Sequence, residues 1–286
     1  MPQAQSASAA TVRLLVLGKR LRDLRVAADK SLEDAAAALG VSVLAIRRIE
    51  QGQVKWKPPY IKVLLEEYGV SGDEARTFLS LSAEANQPGW WYRYRDVLPD
   101  WFRAFVSLEE EASLIRAYEP HYIPGLMQTE EYARTVLRAG MRDEVEIERR
   151  VRLRMERQHR LLQPGGLELW VVMDETVLRR PVAPPAVMRE QIDRLIEIVA
   201  LPNVKLQVIP FALYIHEGMY GPFHIFRFPF SELQDIVYVE TVLGSFYVDQ
   251  YPDVTAFQEA LDRMSALAPR PQRTEALLGS IRKEIN

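Results

Sequence analysis

The sequence contains no cysteine among its 286 residues. This absence excludes disulfide bonds, thiolate nucleophiles and cysteine metal ligands. The sequence also has no run of about 18 apolar residues, which a membrane-spanning helix requires. Its N-terminus lacks the basic segment followed by an apolar segment that marks a secretory signal. We therefore expect a cytoplasmic protein that makes no membrane contact.

Histidine is scarce, with four residues, and the 14 glycines form no phosphate-binding loop motif. Neither His-x-x-x-His nor His-Glu-x-x-His occurs, so no recognised metal-ligand spacing is present. Asp174, Glu175, His216 and His224 offer carboxylates and imidazoles near the ends of predicted strands. We expect Asp174 to cap a turn and the two histidines to line a loop. The remote alternative is a hydrolase-like site built from Asp174, His216 and His224. We expect no enzyme, no cofactor and no metal.

The charge that is present is divided unevenly along the chain. Residues 1–60 contain ten Lys and Arg and five Asp and Glu, a net charge of +5, and the remainder contains 26 and 34, a net charge of −8. A positive N-terminal segment is expected in a protein that neutralises phosphates. The acidic remainder is expected to face away from nucleic acid.

Residues 31–52 carry the pattern of two short helices joined by a tight turn. Ser31 and Asp34 form a capping-box pair, and Gly40 supplies the turn after the first helix. Ser42 is placed to cap the second helix, and Gly52 ends it. Helical periodicity directs Ile46 and Ile49 inward and Arg47 and Arg48 outward.

This stretch resembles the helix-turn-helix of the Xre/Cro/repressor family. The matching residues are Leu39-Gly40-Val41-Ser42, Ile46, Arg48-Ile49-Glu50 and Gly52. The resemblance implies that the second helix of the motif enters the DNA major groove. It also implies that the basic helix predicted before the motif, at 12–28, lies near the phosphates. The competing interpretation is a helical hairpin that only packs. The predicted DNA contacts are Arg20, Arg25, Ser42, Val43, Leu44, Arg47, Arg48, Lys55 and Lys57.

Few polar side chains are placed to hydrogen-bond the edges of the bases. Leu32, Val43 and Leu44 occupy positions at which the family usually places polar side chains. Val43 and Leu44 can contact thymine methyl groups, whereas Arg47 and Arg48 are the remaining hydrogen-bond donors. We therefore expect the protein to bind DNA, but with limited sequence specificity.

The pattern of breakers and helices predicts four segments. Residues 1–10 read as a disordered tail, 11–86 as a five-helix helix-turn-helix domain, 87–163 as a helical connector and 164–286 as an α/β domain. The connector begins after Gln87-Pro88-Gly89 and includes predicted helices at about 100–118 and at 143–162.

Two landmarks in the connector are candidates for partner contact. The cluster Trp90-Trp91-Tyr92-Arg93-Tyr94 can stack bases, but such clusters are more often core or interface. The string Ile-Pro-Gly-Leu-Met-Gln-Thr-x-x-Tyr-Ala at 123–133 resembles the sensor-like region of WhiJ-like and antitoxin-like bacterial regulators. That resemblance implies a transcription regulator, often paired with a small acidic protein encoded nearby. The candidate contacts are Trp90, Trp91, Tyr94, Pro124 and Tyr132.

The last third of the chain alternates strand and helix patterns. Strands are predicted at 167–173, 204–209, 223–228 and 236–240, with a hairpin turn at 243–246. Strand-helix-strand order implies a parallel pair, so we expect a small mixed sheet and an α+β fold class. His216, Tyr220 and Arg227 are the candidates for a small-ligand or peptide pocket.

Together these patterns predict a DNA-binding transcriptional regulator whose C-terminal domain senses a partner protein or a small ligand. A homodimer is expected, because one small helix-turn-helix reads few base pairs. The alternative is an antitoxin-like adaptor whose main role is to bind a small acidic protein.

Overall fold

The computed structural model describes residues 12–86, 89–213, 215–229, 233–241 and 244–285. The predicted tail at 1–10, and Gln87 and Pro88 of the predicted boundary, lie outside these ranges. The chain forms two compact units. Within the described ranges, the first contains residues 12–86, 89–95, 99–111 and 233, and the second contains 96–98, 112–213, 215–229, 234–241 and 244–285.

The first unit is helical. Its helices are α1 (Val12–Ala27), α2 (Leu32–Leu39), α3 (Val43–Glu50), α4 (Pro58–Glu67), α5 (Gly72–Ala85) and α6 (Asp100–Glu111), with a 3-10 turn at Trp90–Tyr94. The predicted capping box is present, since Ser31 Oγ accepts from the Asp34 amide at 3.0 Å and the Asp34 carboxylate accepts from the Ser31 amide at 2.8 Å. Gly40 has a φ of 63°, which lets the chain turn sharply into α3.

One apolar core joins helices α1 to α5. Its largest fully buried members come from three helices, α1, α3 and α4: Leu21, Ile46, Ile61, Leu64 and Leu65. Asn86, after α5, clamps the segment before α4, because its amide donates to the Trp56 carbonyl at 2.7 Å and its oxygen accepts from the Trp56 amide at 2.9 Å. The arrangement of α4 and α5 is therefore held by both apolar packing and a polar clamp.

The second unit is built on a six-stranded mixed sheet. The strands are β1 (Leu114–Glu119), β2 (Glu168–Asp174), β3 (Val204–Ile209), β4 (Phe223–Arg227), β5 (Ile236–Thr241) and β6 (Gly244–Val248), in the order β3-β2-β1-β4-β5-β6. The pairs β1–β2 and β2–β3 are parallel, and the other pairs are antiparallel. The predicted parallel pair, mixed sheet and α+β fold class are confirmed.

Helices connect and cover the strands. They are α7 (Glu130–Gly140), α8 (Glu144–Arg157), α9 (His159–Leu162), α10 (Glu175–Arg179), α11 (Pro185–Val199), α12 (Tyr251–Leu267) and α13 (Thr274–Glu284). Leu261 and Met264 of α12 pack on one sheet face against Tyr118, Val172 and Val237. In the described ranges, no helix has the length and apolarity needed to cross a membrane.

The predicted helix at 100–118 is wrong in its second half. The helix ends at Glu111, and residues 114–119 form β1, which pairs with β2 on one side and β4 on the other. A short apolar run that is buried on both faces lacks the alternation of apolar and polar residues that marks a half-buried strand. The positions of Ala112 and Ile115 therefore also fitted the spacing of a helix. The segment predicted as a helical connector therefore contributes a central strand to the sheet.

Candidate DNA-binding surface and polar clusters of the sheet unit

The outer face of helix α3 carries both polar and apolar side chains. Ile46 and Ile49 are buried, whereas Arg47 and Arg48 are exposed and Leu44 is 56% exposed. Ser42 caps the helix, since its Oγ accepts from the Ala45 amide at 3.2 Å. The inward and outward positions predicted from periodicity are those observed. Val43 differs, because it is half-buried and packs against the core of the unit.

A buried ion pair fixes the C-terminal end of α3. Arg25 Nε lies 2.7 Å from Glu50 Oε1, and Arg25 Nη2 donates to Glu50 Oε2 at 3.1 Å. Arg25 Nη1 also donates to the Lys30 carbonyl at 2.8 Å. The hydrogen bond to Glu50 raises the pKa of Arg25 above its ordinary value. Because its guanidinium is buried and committed to these partners, we withdraw Arg25 from the predicted phosphate contacts.

Two glycines allow α1 to approach the end of α3. A Cβ on Gly18 would lie 2.4 Å from the Glu50 carbonyl oxygen, and a Cβ on Gly52 would lie 2.7 Å from the Leu14 carbonyl carbon. Gly52 also has a φ of 64°, a conformation that other residues rarely adopt. The orientation of α3 therefore depends on glycine at both positions.

The remaining predicted phosphate contacts are exposed. Arg20, Lys55 and Lys57 face solvent, and Lys57 Nζ lies 5.0 Å from the centre of the Tyr60 ring. Gln51 is a further exposed polar residue, which the helix-turn-helix pattern did not single out. It lies four positions after Arg47 and so shares its side of the helix, which is the spacing that could have revealed it.

The aromatic cluster at 90–94 is partly core. Trp91 is buried, so it is not a surface for partner contact. Trp90 and Tyr94 flank Arg93, whose guanidinium lies 6.0 Å and 5.3 Å from their ring centres. Tyr92 is 45% exposed and lies under the Arg95 guanidinium at 4.4 Å. Much of the cluster is therefore occupied by interactions within the chain.

The string at 123–133 is a structural loop rather than an exposed contact. Pro124 is buried and Tyr132 is fully buried, so neither is placed to touch a partner. Three glutamines hold the loop through backbone hydrogen bonds. Gln128 donates to the Ile123 carbonyl at 2.6 Å, Gln158 to the Gly125 and Gln128 carbonyls at 2.9 and 2.8 Å, and Gln191 to the Met127 carbonyl at 2.8 Å. Thr129 caps α7, since its Oγ1 accepts from the Tyr132 amide at 3.3 Å.

The predicted pocket of His216, Tyr220 and Arg227 is not assembled. The His216 ring lies against Tyr118, near the end of β1, and its side chain is 5% exposed. Arg227 pairs with Leu114 at the start of β1, roughly 13 Å away at 3.3 Å per strand residue. Its guanidinium binds Asp235 at 2.9 Å. Tyr220 is 97% exposed.

The residues of the remote enzyme alternative fall into two clusters. His216 Nε2 lies 3.9 Å from Asp174 Oδ2, whereas His224 Nε2 lies 3.3 Å from Glu119 Oε1. The register of β1 and β4 places His224 on the sheet face opposite the face that α12 covers. Asp174 accepts from the Thr176 amide at 2.8 Å and caps α10. Within the described ranges, no three His, Asp or Glu residues converge as a metal site would require.

Family models match both parts of the chain. A helix-turn-helix domain matches residues 16–78, and a domain of unknown function, DUF5753, matches residues 102–280. The chain belongs to the DUF5753 family. Neither a curated protein nor a solved structure matches it.

The DUF5753 match includes the six strands of the sheet and both polar clusters, which lie at the carboxyl ends of β1 and β2. The helix-turn-helix match includes α2, α3 and the Arg25–Glu50 pair. The helix-turn-helix domain indicates a DNA-binding regulator. The function of the DUF5753 domain has to be argued from its residues.

Proposed function

We propose that this DUF5753 protein is an Xre-type transcriptional regulator that acts in the cytoplasm. Helix α3 enters the DNA major groove, where Leu44, Arg47 and Arg48 meet the base edges. The observation that carries the proposal is the buried Arg25–Glu50 pair, which holds α3 while those three side chains face solvent. A rigidly held helix with an exposed face of arginines is what groove reading needs.

The second step of the proposal is homodimerisation on DNA. One α3 helix offers few base contacts, and two half-sites add their binding energies approximately. The DUF5753 domain then transmits a signal from a small ligand or a partner protein. We propose binding rather than catalysis for this domain, because Asp174 and His216 lie apart from His224.

Fluorescence anisotropy tests the DNA-binding step. The full chain is titrated against a duplex from its own upstream region and against a scrambled duplex, at low and near-physiological salt. Preference for the upstream duplex that survives added salt supports a regulator. If added salt weakens binding to both duplexes equally, the protein is attracted only to the phosphates, and the proposal is contradicted.

A second candidate function is an antitoxin-like adaptor for a small acidic protein encoded nearby. Among the described residues between 211 and 220, four apolar side chains face solvent and could dock such a partner: Phe211, Ile215, Met219 and Tyr220. Apolar side chains grouped on a surface mark interaction sites. Co-expression with the neighbouring small protein tests the idea, and failure to co-purify would reject it.

A further inference from the structure

The order of the strands marks one end of the sheet. The chain passes from β1 to β2 on one side and later returns to β4 on the other side of β1. In α/β sheets, ligands bind in the crevice outside the carboxyl ends of parallel strands, and the parallel strands β1 and β2 both end here. Glu119 is the last residue of β1, and His224 lies near the start of the adjacent β4.

Four polar side chains meet at this end. Glu119 Oε1 lies 3.3 Å from His224 Nε2, and both side chains are about one-sixth exposed, at 15% and 16%. His224 is the register partner of Tyr238, and the two ring centres lie 6.1 Å apart. The Tyr238 hydroxyl donates to Glu240 Oε2 at 3.0 Å. Glu240 is exposed, so the group extends from a sheltered carboxylate to a solvent-facing one.

The two carboxylates are not neutralised by basic side chains. Within the described part of the chain, neither Glu119 nor Glu240 has a lysine or arginine at ion-pair distance. Burial, followed by the charge of Glu240, raises the pKa of Glu119 to about 8. Burial, followed by the charge of Arg157, lowers the pKa of His224 to about 3. Near neutral pH the inner pair is therefore mostly uncharged.

We propose that Glu119, His224, Tyr238 and Glu240 form a binding site for a small organic cation of the primary-amine class. An ammonium group between Glu119 and Glu240 would favour the ionised form of Glu119, offset its repulsion by Glu240 and donate charge-assisted hydrogen bonds to both carboxylates. Its apolar stem would lie against the partly exposed ring of His224. A metal ion fits less well, because among the described residues no three suitable ligands converge.

This inference goes beyond the proposed regulator function, and its test contains no DNA. Binding of an amine by the full chain can therefore fail or succeed independently of DNA binding. If both hold, the amine is the class of signal that the DUF5753 domain receives.

Isothermal titration calorimetry of the full chain with n-butylammonium chloride tests the site. Because the cation favours ionised Glu119, saturable binding should release protons near pH 7 and should strengthen between about pH 6 and about pH 9. Proton release is read from the dependence of the heat on the ionisation enthalpy of the buffer. Glu119→Gln and Glu240→Gln should each weaken binding about tenfold or more. Glu259→Gln, an exposed carboxylate of α12, is the matched control and should leave binding unchanged.

Butan-1-ol and sodium butyrate are the ligand controls. Equal binding of the alcohol would overturn the proposal, because the charge would be irrelevant. Preferential binding of butyrate would assign the site to an anion beside Arg157 and would overturn it too. Absence of saturable heat, or full binding by Glu119→Gln, has the same consequence. Glu240 is exposed, so its variant keeps the test valid if Glu119→Gln fails to fold.

Discussion

Arg25 and Glu50 form a two-pronged ion pair that is almost entirely sheltered from water. Their side chains are 10% and 5% exposed, and they join the end of α1 to the end of α3. The same guanidinium binds the Lys30 carbonyl in the loop that leads into α2. One side chain therefore ties together the three segments that determine the placement of α3.

Removing one partner of this pair should destabilise the first unit strongly. Glu50→Gln leaves the Arg25 charge buried without its counter-ion, and we expect a loss of about 3–5 kcal/mol in the free energy of unfolding. The double variant Arg25→Met, Glu50→Met should recover most of that loss, since an apolar pair needs no compensation. Urea denaturation followed by circular dichroism measures both. A single variant as stable as the original protein would show that the pair is not buried in solution.

The same double variant separates phosphate contact from helix placement. Arg20 is exposed on α1, whereas Arg25 is not. Arg20→Ala should reduce the slope of log K against log salt by about one unit for one lost phosphate contact. Arg25→Met with Glu50→Met should leave the slope unchanged. Anisotropy titrations over a range of salt concentrations measure the slopes. A reduced slope in the double variant would restore Arg25 as a phosphate contact.

Arg47 and Arg48 should contribute base contacts. Replacing both with alanine is expected to weaken binding to the cognate duplex by about 1–3 kcal/mol per lost base contact. Arg76→Ala is the matched control, because Arg76 is an exposed arginine of α5 in the same unit. Competition titrations with the upstream duplex give the affinities. Equal losses in the control and the double variant would place the recognition surface elsewhere.

The sequence predicted the first unit well because its signals are local. Ser31, Gly40 and Ser42 determine caps and turns through contacts with residues three or four positions away, and Ile46 and Ile49 follow helical periodicity. The partner of Arg25 could not be predicted in this way. Glu50 lies 25 positions further on, and its contact depends on how α1 and α3 cross.

The sheet unit was predicted less completely, because its decisive contacts are non-local. Residues 114–118 pair with strands at 168–172 and 223–227, and nothing inside the segment distinguishes a buried strand from a buried helix turn. Glu119 was not singled out for the same reason. Its neighbour His224 lies more than 100 positions away, and only the register of β1 and β4 brings them together.

Gln191 should be essential to the loop at 123–129. Its amide donates to the Met127 carbonyl at 2.8 Å, and its oxygen accepts from the Thr129 amide at 2.7 Å. Gln191→Leu keeps the bulk but leaves both buried backbone groups without partners, at about 1–3 kcal/mol each. Thermal denaturation measures the loss, and Gln250→Leu, at an exposed position, should cause little change. Equal melting temperatures for the two variants would contradict the clamp.

Glu119 should make the stability of the DUF5753 domain dependent on pH. Its pKa is about 8 in the folded chain against an ordinary value of 4.5, so the folded state keeps a proton that the unfolded state has already lost between these values. The stability that this proton contributes is complete below about pH 4.5 and is lost as the pH rises through about 8. Glu119→Gln cannot ionise, so its stability should fall less than that of the original protein over the same range. Chemical denaturation at a series of pH values gives both curves. They are compared above about pH 7, where His224, with a pKa of about 3 in the fold against an ordinary 6.5, is neutral in the folded and the unfolded chain. Parallel curves would mean that Glu119 ionises normally in the fold, and that the carboxylate is far better hydrated than its 15% exposed side chain indicates.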